Sequence, residues 1–248
     1  MSNKGTVIVT GGSRGIGAAI AIALAELGHG VACLSRRGEL PAVVGANAKA
    51  LARCKGITCD VTSSDSLRDA FAQAATLGDP IVGLVNNAGV HLEGPSTTFS
   101  RTDYETVFAT NATSVFMSCQ HIYPHLVDAG GGIIINIGSF FDKLGVKRNL
   151  AYCASKAAVG AITRCLAVEW AGKGIRVIDV APGYIATDLN KEAMSAGPLR
   201  EYLEKRIPGR TPGTSEDVAK LVKALFQADS PFLSGETIYI DGAQGVAH

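Results

Sequence analysis

The run TVIVT (6–10), the turn TGGSRGIG (10–17) and an apolar stretch ending at Glu26 together narrow the choice of fold most. Five residues rich in β-branched side chains read as a buried strand. Gly11, Gly15 and Gly17 let the chain turn sharply and leave its backbone open to close approach. A helix beginning near Ile16 then points its first N–H groups at whatever the turn holds, a ready anion site. Ser13 and Arg14 lie inside the same turn. The spacing departs from G-x-G-x-x-G, so position after a first strand carries the reading. A bland strand-to-helix turn is the alternative.

The pattern then repeats. VACLS (31–35), GITCD (56–60), IVGLVN (81–86), GIIINI (132–137), IRVIDVA (175–181) and TIYID (237–241) are short and apolar without strict alternation. Such runs suit strands covered on both faces. Helical segments are expected at 16–27, 64–77, 103–127, 151–171 and 215–228, with a weaker one at 40–52. Strand and helix in alternation imply an α/β fold, a Rossmann-type, doubly wound parallel sheet of about seven strands with helices on both faces. No linker or composition break divides residues 1–248, so a single domain is expected. The stretch 183–214 reads as a long irregular loop of the kind that forms a lid.

Composition limits the partners. The net charge of +1 argues against a nucleic acid held by a general positive field. Six cysteines without a CxxC pair fit reduced thiols in a cytoplasmic protein, and no metal site is expected. The first apolar helix is too short to span a bilayer, so no membrane association is expected.

The end of the second strand bears on the anion. A bound ribose 2′-hydroxyl would favour Asp or Glu there, and a 2′-phosphate would favour arginine. The chain reads Ser35-Arg36-Arg37, with no carboxylate before Glu39, and Arg14 adds a third guanidinium. Planar guanidinium forks match phosphate oxygens. NADP(H) is therefore expected rather than NAD, unless Arg36 and Arg37 merely solvate a loop.

Tyr152 and Lys156 stand at i and i+4 in AYCASK (151–156) and share a helix face. A phenol with a reference pKa near ~10 is a poor acid at neutral pH. A neighbouring ammonium is expected to lower that value toward the range useful for proton transfer.

These residues resemble the short-chain dehydrogenase/reductase family, most closely its compact branch of NADPH-dependent ketone and 3-oxoacyl reductases. TGGSRGIG matches the family's TGxxxGxG turn, CDV (59–61) its adenine contact, and NNAG (86–89) the close of strand four. IGS (137–139), YCASK (152–156) and PGYIATD (182–188) match three further motifs in the expected order. The resemblance implies a catalytic set of Asn111, Ser139, Tyr152 and Lys156. It also implies cofactor contacts from Gly11, Ser13, Arg14, Gly15, Ile16, Gly17, Arg36, Arg37, Asp60 and Val61. Asn87, Ala88, Gly89, Pro182, Gly183, Ile185 and Thr187 would complete them, with Tyr152 and Lys156 also on the nicotinamide ribose.

In reduction Tyr152 would protonate the carbonyl oxygen while NADPH delivers hydride, and oxidation reverses both. Ser139 would orient the substrate oxygen, although a serine after a strand is ordinarily a turn or helix cap. Asn111 would hold a water linking Lys156 to solvent; a helix kink or an interhelical hydrogen bond is its alternative. The family is commonly tetrameric, and the apolar helix 151–171 fits a homo-oligomer.

The substrate stays open. Phe140, Phe141, Leu144, Val146, Tyr184, Leu189 and Met194 suit an apolar ketone or acyl group, while Asp142, Lys143, Lys147 and Arg148 could meet a charged one. The turn DAGGG (128–132) has no arginine, which does not favour an acyl-carrier-protein substrate. Ala243, where the family often has a third residue of DGG, puts the last turn in doubt. A non-catalytic NADP-binding regulator would lack Tyr152, Lys156 or Ser139, and all three are present. An epimerase or dehydratase of this fold would be expected to add a C-terminal substrate domain.

Overall fold

The computed structural model describes residues 4–187, 194, 196–228 and 230–247. Seven parallel strands form one sheet in the order β3-β2-β1-β4-β5-β6-β9. They are β1 (Thr6–Thr10), β2 (Gly30–Ser35), β3 (Cys54–Thr58), β4 (Ile81–Asn86), β5 (Gly132–Ile137), β6 (Ile175–Pro182) and β9 (Thr237–Ile240). The order reverses between β1 and β4, so their carboxyl ends open a crevice at the switch point. A separate two-stranded ribbon pairs β7 (Ile185–Ala186) with β8 (Gly213–Thr214).

Helices cover both faces, as expected. Val7, Val9, Cys33, Val85 and Ile135 face α1 (Gly15–Glu26) and α8 (Ser215–Gln227). Ile8, Leu34, Leu84 and Ile134 face α3 (Ser64–Ala75), α5 (Ser114–Asp128) and α6 (Leu150–Trp170). Side chains alternate along each strand, so both layers draw on the same short runs. Helix starts are set locally. Ser63 caps α3, Ser100 caps α4 (Arg101–Phe108), and Thr214 with Asp217 forms a reciprocal capping box on α8.

Three segments differ from the sequence reading. The expected helix 103–127 is divided into α4, a π-helical turn at Ala109–Thr113 and α5. A π turn widens the backbone by one residue and commonly marks a functional position; this one contains Asn111. Within 40–52 only α2 (Ala48–Leu51) is helical. The stretch 183–214 is not all irregular. It contains β7, β8 and α7 (Gly197–Arg206), whose Leu203 packs with Met194 and Ile207 in a small cluster outside the main core. Leu189 and Asp188 lie outside the described residues.

The last turn keeps its form despite Ala243, which takes a left-handed backbone (φ 66°). The Asp241 carboxylate holds it by accepting from the Ala243 N–H (3.0 Å) and the Gly245 N–H (2.8 Å).

Leu84 on β4 has no exposed surface. Leu84→Ala should lower stability by about 2–5 kcal/mol, through lost transfer energy and an incompletely collapsed cavity. Urea unfolding measures this, and a loss below about 1 kcal/mol would contradict the packing described.

Candidate active site

At the crevice the glycine turn is shut tightly on itself. A Cβ on Gly17 would stand 2.2 Å from the Gly11 carbonyl oxygen and 2.4 Å from Asn87 Nδ2. Gly11 and Gly15 take positive φ (65° and 54°), which side-chain-bearing residues adopt only at a cost. From β4, Asn87 Nδ2 donates to the carbonyls of Thr10 (3.0 Å) and Gly11 (3.2 Å). Thr10 Oγ1 in return accepts from the N–H groups of Asn87 (3.0 Å) and Ala88 (3.1 Å). Arg14 precedes α1 and makes no side-chain cap, and no acidic residue lies in the first turn. The N–H groups at Ile16 and Gly17 are thus free of side-chain competition, which suits a phosphate.

Neighbouring strand ends meet this turn. Gly12 donates to Leu34 O (3.2 Å), Cys59 to Ser35 O (2.9 Å), and Ala42 to Ser13 O (2.9 Å). Arg14 and Arg36 are exposed, while Arg37 is held by Glu39 at 3.0 Å. Asp60 Oδ1 accepts from the N–H (2.9 Å) and hydroxyl (2.7 Å) of Thr62, which hold its carboxyl below the usual range. Val61 beside it is half-buried. From β6, Pro182 and Gly183 lead over the crevice, through Ile185 in β7, to Thr187. The Thr187 methyl lies 3.7 Å from where a Gly15 Cβ would be.

Across the crevice, two residues past the end of β5, Ser139 Oγ accepts from the Phe141 N–H (3.3 Å) and caps a short 3-10 turn. Tyr152 and Lys156 project from α6 toward that strand end. Lys156 Nζ donates to Ile137 O at 2.7 Å and lies 5.8 Å from the Tyr152 ring centroid. Gly89 packs between, its Cβ position 3.3 Å from Asn111 Oδ1 and 3.9 Å from Lys156 Nζ. Asn111 is buried and its side chain is committed. Oδ1 accepts from Val90 N (2.8 Å), and Nδ2 donates to Val90 O (2.9 Å) and Ser155 Oγ (3.1 Å). It ties the loop after β4 to α6.

The electrostatics differ from the expectation that Lys156 lowers the Tyr152 pKa. Burial pushes the Tyr152 hydroxyl above its ordinary value, and the Ser139 hydroxyl draws it back. The Lys156 ammonium is spent on the Ile137 carbonyl. Burial lowers Lys156 itself to about 8, opposed by the charge of Asp179.

Asp179, which sequence reasoning passed over, belongs to a polar row crossing the sheet in register: Asn86, Asn136, Asp179 and Thr237. Asn86 Nδ2 donates to Asn136 Oδ1 (2.9 Å), Asn136 Nδ2 to Thr163 Oγ1 (2.9 Å), and Thr237 Oγ1 to Asp179 Oδ2 (3.2 Å). Asp179 Oδ1 has no hydrogen-bond partner among the described residues. Gly138, whose Cβ position would stand 2.4 Å from that oxygen, gives its N–H to Val180 O (2.8 Å). Burial raises Asp179 to about 6, against the pull of Lys156 and Thr237.

Two further residues were missed. The His91 ring packs on Tyr152 with centroids 4.7 Å apart, and its Nε2 is hydrogen-bonded to Asn149 Oδ1. The signal available was a histidine directly after NNAGV; Asn149, at the start of α6, gave none.

Comparison with known proteins gives consistent matches. A family model described as Enoyl-(Acyl carrier protein) reductase matches residues 11–244. D-threitol dehydrogenase of Mycolicibacterium smegmatis is 33% identical over 239 residues, covering 95% of this chain and 90% of that protein. The 3-oxoacyl-[acyl-carrier-protein] reductase MabA of Mycobacterium tuberculosis is 35% identical over 246 residues, covering 98% and 94%. A gluconate 5-dehydrogenase from Burkholderia cenocepacia, solved in complex with NADP and tartrate, superposes with a TM-score of 0.87. The identity is 28%, and the match covers 100% of this chain and 97% of that one.

The burial of the half-satisfied Asp179 carboxylate has a measurable consequence. Asp179 titrates near 6 when folded and near 3.8 otherwise, so the folded chain binds the extra proton between those values. Its contribution to stability is lost as pH rises through that window. Asp179→Asn should therefore gain on the order of 2–3 kcal/mol over the parent chain at pH 8 and nothing at pH 4. Thermal or urea unfolding at the two pH values checks this; an equal effect at both would refute it.

Proposed function

We propose that this chain, which belongs to the short-chain dehydrogenase/reductase family, reduces a ketone with NADPH, or runs the reverse oxidation, with Tyr152 as the general acid. The observation that carries this is the meeting of Ser139, Tyr152 and Lys156 at the carboxyl edge of β5, beside a glycine turn with no room for a side chain at Gly17.

NADP(H), when bound, supplies or accepts the hydride. In this reading the turn from Gly11 to Gly17 and the start of α1 hold its pyrophosphate, and Arg14, Arg36 and Arg37 meet the 2′-phosphate. Asp60 and Val61 border the adenine, and Asn87, Ala88 and Gly89 border its ribose. Pro182, Gly183, Ile185 and Thr187 cover the nicotinamide, whose ribose Tyr152 and Lys156 hold. The neighbouring fold solved with NADP supports this cofactor.

The chain's own groups then account for the proton. Ser139 and Tyr152 both aim hydroxyls at one carbonyl oxygen, which orients it before reaction. A phenol whose pKa is raised stays protonated at neutral pH and is therefore ready to donate. As the proton leaves, Lys156, charged below about 8, stabilises the phenolate that remains. In this reading Asn111, whose Oδ1 accepts only from Val90 N among the described residues, holds a water that relays protons between Lys156 and solvent.

A 3-oxoacyl thioester is the second reading of the substrate, and likeness to MabA favours it. We also propose a cytoplasmic homo-oligomer, most simply a tetramer. Six free cysteines among the described residues fit a reducing compartment. Phe116 on α5 and Val168 on α6, 44% and 81% exposed, fit a helical interface between copies. No helix among the described residues is long and apolar enough to cross a membrane.

The deciding experiment is NADPH and NADH consumption with ketones, diketones, reducing-sugar acids and 3-oxoacyl thioesters. Tyr152→Phe should lower kcat by about 100-fold or more, and full retained activity would remove the acid assignment. Replacing Arg36 and Arg37 together by Ala should raise the KM for NADPH roughly ten- to hundredfold, the worth of lost charge-assisted bonds. The KM for NADH should move far less. Equal effects on both cofactors would refute phosphate recognition.

A further inference from the structure

Beside Tyr152 lies a cavity of about 350 Å3, walled on its reacting side by Phe140, Phe141, Tyr184 and Tyr202. Phe140 follows Ser139 directly, and the Phe141 ring meets Tyr152 edge-on at 5.9 Å. Tyr184 meets both phenylalanines and Tyr202. This end of the cavity is aromatic, and the Phe141 ring joins it to Tyr152. Its volume is at the small end of ligand pockets, roughly 300–1,000 Å3, and suits a small molecule rather than a long acyl chain.

The rest of the wall is mixed: Leu144, Gly145 and Val146 are apolar or small, and Lys147, Arg206 and Gln244 are cationic or polar. Lys147 comes from the segment before α6, Arg206 from the last turn of α7, and Gln244 from the C-terminal turn. The other charges nearby are already engaged. Arg148 pairs with Glu93 (3.6 Å), Arg200 with Glu204 (2.6 Å), and Lys143 sits 3.5 Å over the Tyr239 ring. Asp142 accepts from the Tyr239 hydroxyl on both oxygens, and Asp241 is used by its own turn. Lys147 and Arg206 have no ion-pair partner among the described residues. No acidic side chain among those residues lines the cavity. Gln244 Oε1 is buried without a hydrogen-bond partner.

Arg206 also complements the carbonyl end of α7, which accounts for a cation at that helix end but not for its place in a cavity wall beside aromatic rings. Its charge reaches the Tyr184 hydroxyl, partly offsetting the burial and the Tyr202 contact that raise that phenol to about 12. Lys147 and Arg206 are exposed and keep their hydration, yet both stand in a wall that no acidic side chain among the described residues shares, so the local field there favours an anion. The buried amide oxygen of Gln244 without a donor calls for an O–H or N–H.

From the reductase reading above, we infer that the ketone taken by this site is small and carries a carboxylate or phosphate at the end away from its carbonyl. Lys147 and Arg206 hold that anion, the aromatic wall holds the body between, and Gln244 Oε1 accepts from a hydroxyl or amide of the ligand.

The test uses an aryl alkyl ketone bearing a carboxylate, its methyl ester, and the matching phosphate monoester, each with NADPH. For the parent protein, kcat/KM for one of the two anions should exceed that for the ester about tenfold or more at low salt. The advantage should lie in KM and shrink as salt rises. Lys147→Met and Arg206→Met should each erase most of it and act much less on the ester, whereas Lys205→Met, outside this cavity, should not change the ratio. The better of carboxylate and phosphate identifies the anion. Equal or faster turnover of the ester would overturn the inference, as would variants that lower all three substrates alike. Calorimetric binding of the ketone-free aryl carboxylate and aryl phosphate separates this from the reductase reading. Anion binding lost in Arg206→Met without any ketone turnover would sink the reductase reading and keep the anion site; no anion binding to the parent protein would sink the site.

Discussion

A single methyl group at residue 17 would collide with the Gly11 carbonyl oxygen at 2.2 Å, and most of this molecule's chemistry rests on that lack of room. The turn closes because Asn87, one strand over, binds the Thr10 and Gly11 carbonyls, and because Thr10 Oγ1 answers with two bonds back to β4. The crevice at the switch point is thus a knot of hydrogen bonds between the Asn87 and Thr10 side chains and the main chain opposite them. Every other element of the site is referred to it: the Thr187 segment folds over the turn, and Gly89, three residues past the end of β4, packs against Asn111 and Lys156.

On the far side of the crevice, burial rather than pairing sets the charges. Lys156 and Asp179 are both buried, and each is pushed toward its neutral form while the other pulls it back. The pair is not in direct contact; the Ile137–Gly138 backbone lies at both, binding the ammonium through Ile137 O and crowding the carboxylate at Gly138. Such an arrangement leaves Lys156 ionised near neutrality without neutralising it. A positive charge close to a phenol is useful only if no carboxylate cancels it, so an oblique partner is better suited to stabilising a phenolate than a full ion pair.

Departures from regular secondary structure cluster around this chemistry. The π turn at Ala109–Thr113 brings Asn111 inward, where it binds both the N–H and the carbonyl of Val90. The 3-10 turn after Ser139 directs Phe140 and Phe141 toward the cavity. α7 stands over a satellite cluster of Met194, Leu203 and Ile207 rather than over the main core. A segment built on so few buried side chains is held less firmly than the sheet beneath it.

Much of this was legible in the chain before any coordinates. The strands 6–10, 81–86 and 132–137 were readable to the residue, because runs such as IVGLVN and GIIINI have no other stable home than a sheet covered on both faces. The glycine turn and the i, i+4 spacing of Tyr152 and Lys156 were equally plain, since both are rules of local geometry. What the tertiary structure decided was everything that depends on distant neighbours. A helix-like pattern from 103 to 127 cannot disclose that Val90 will draw Asn111 into a π turn. Asp179 in IRVIDVA reads as a strand residue like any other until β5, β6 and β9 are set in register and its oxygen is left alone beside Gly138. The direction of the Tyr152 shift likewise came from burial, against the pull of the Ser139 hydroxyl. Sequence spacing carries short-range sterics, whereas solvent exclusion and charge are properties of the whole fold.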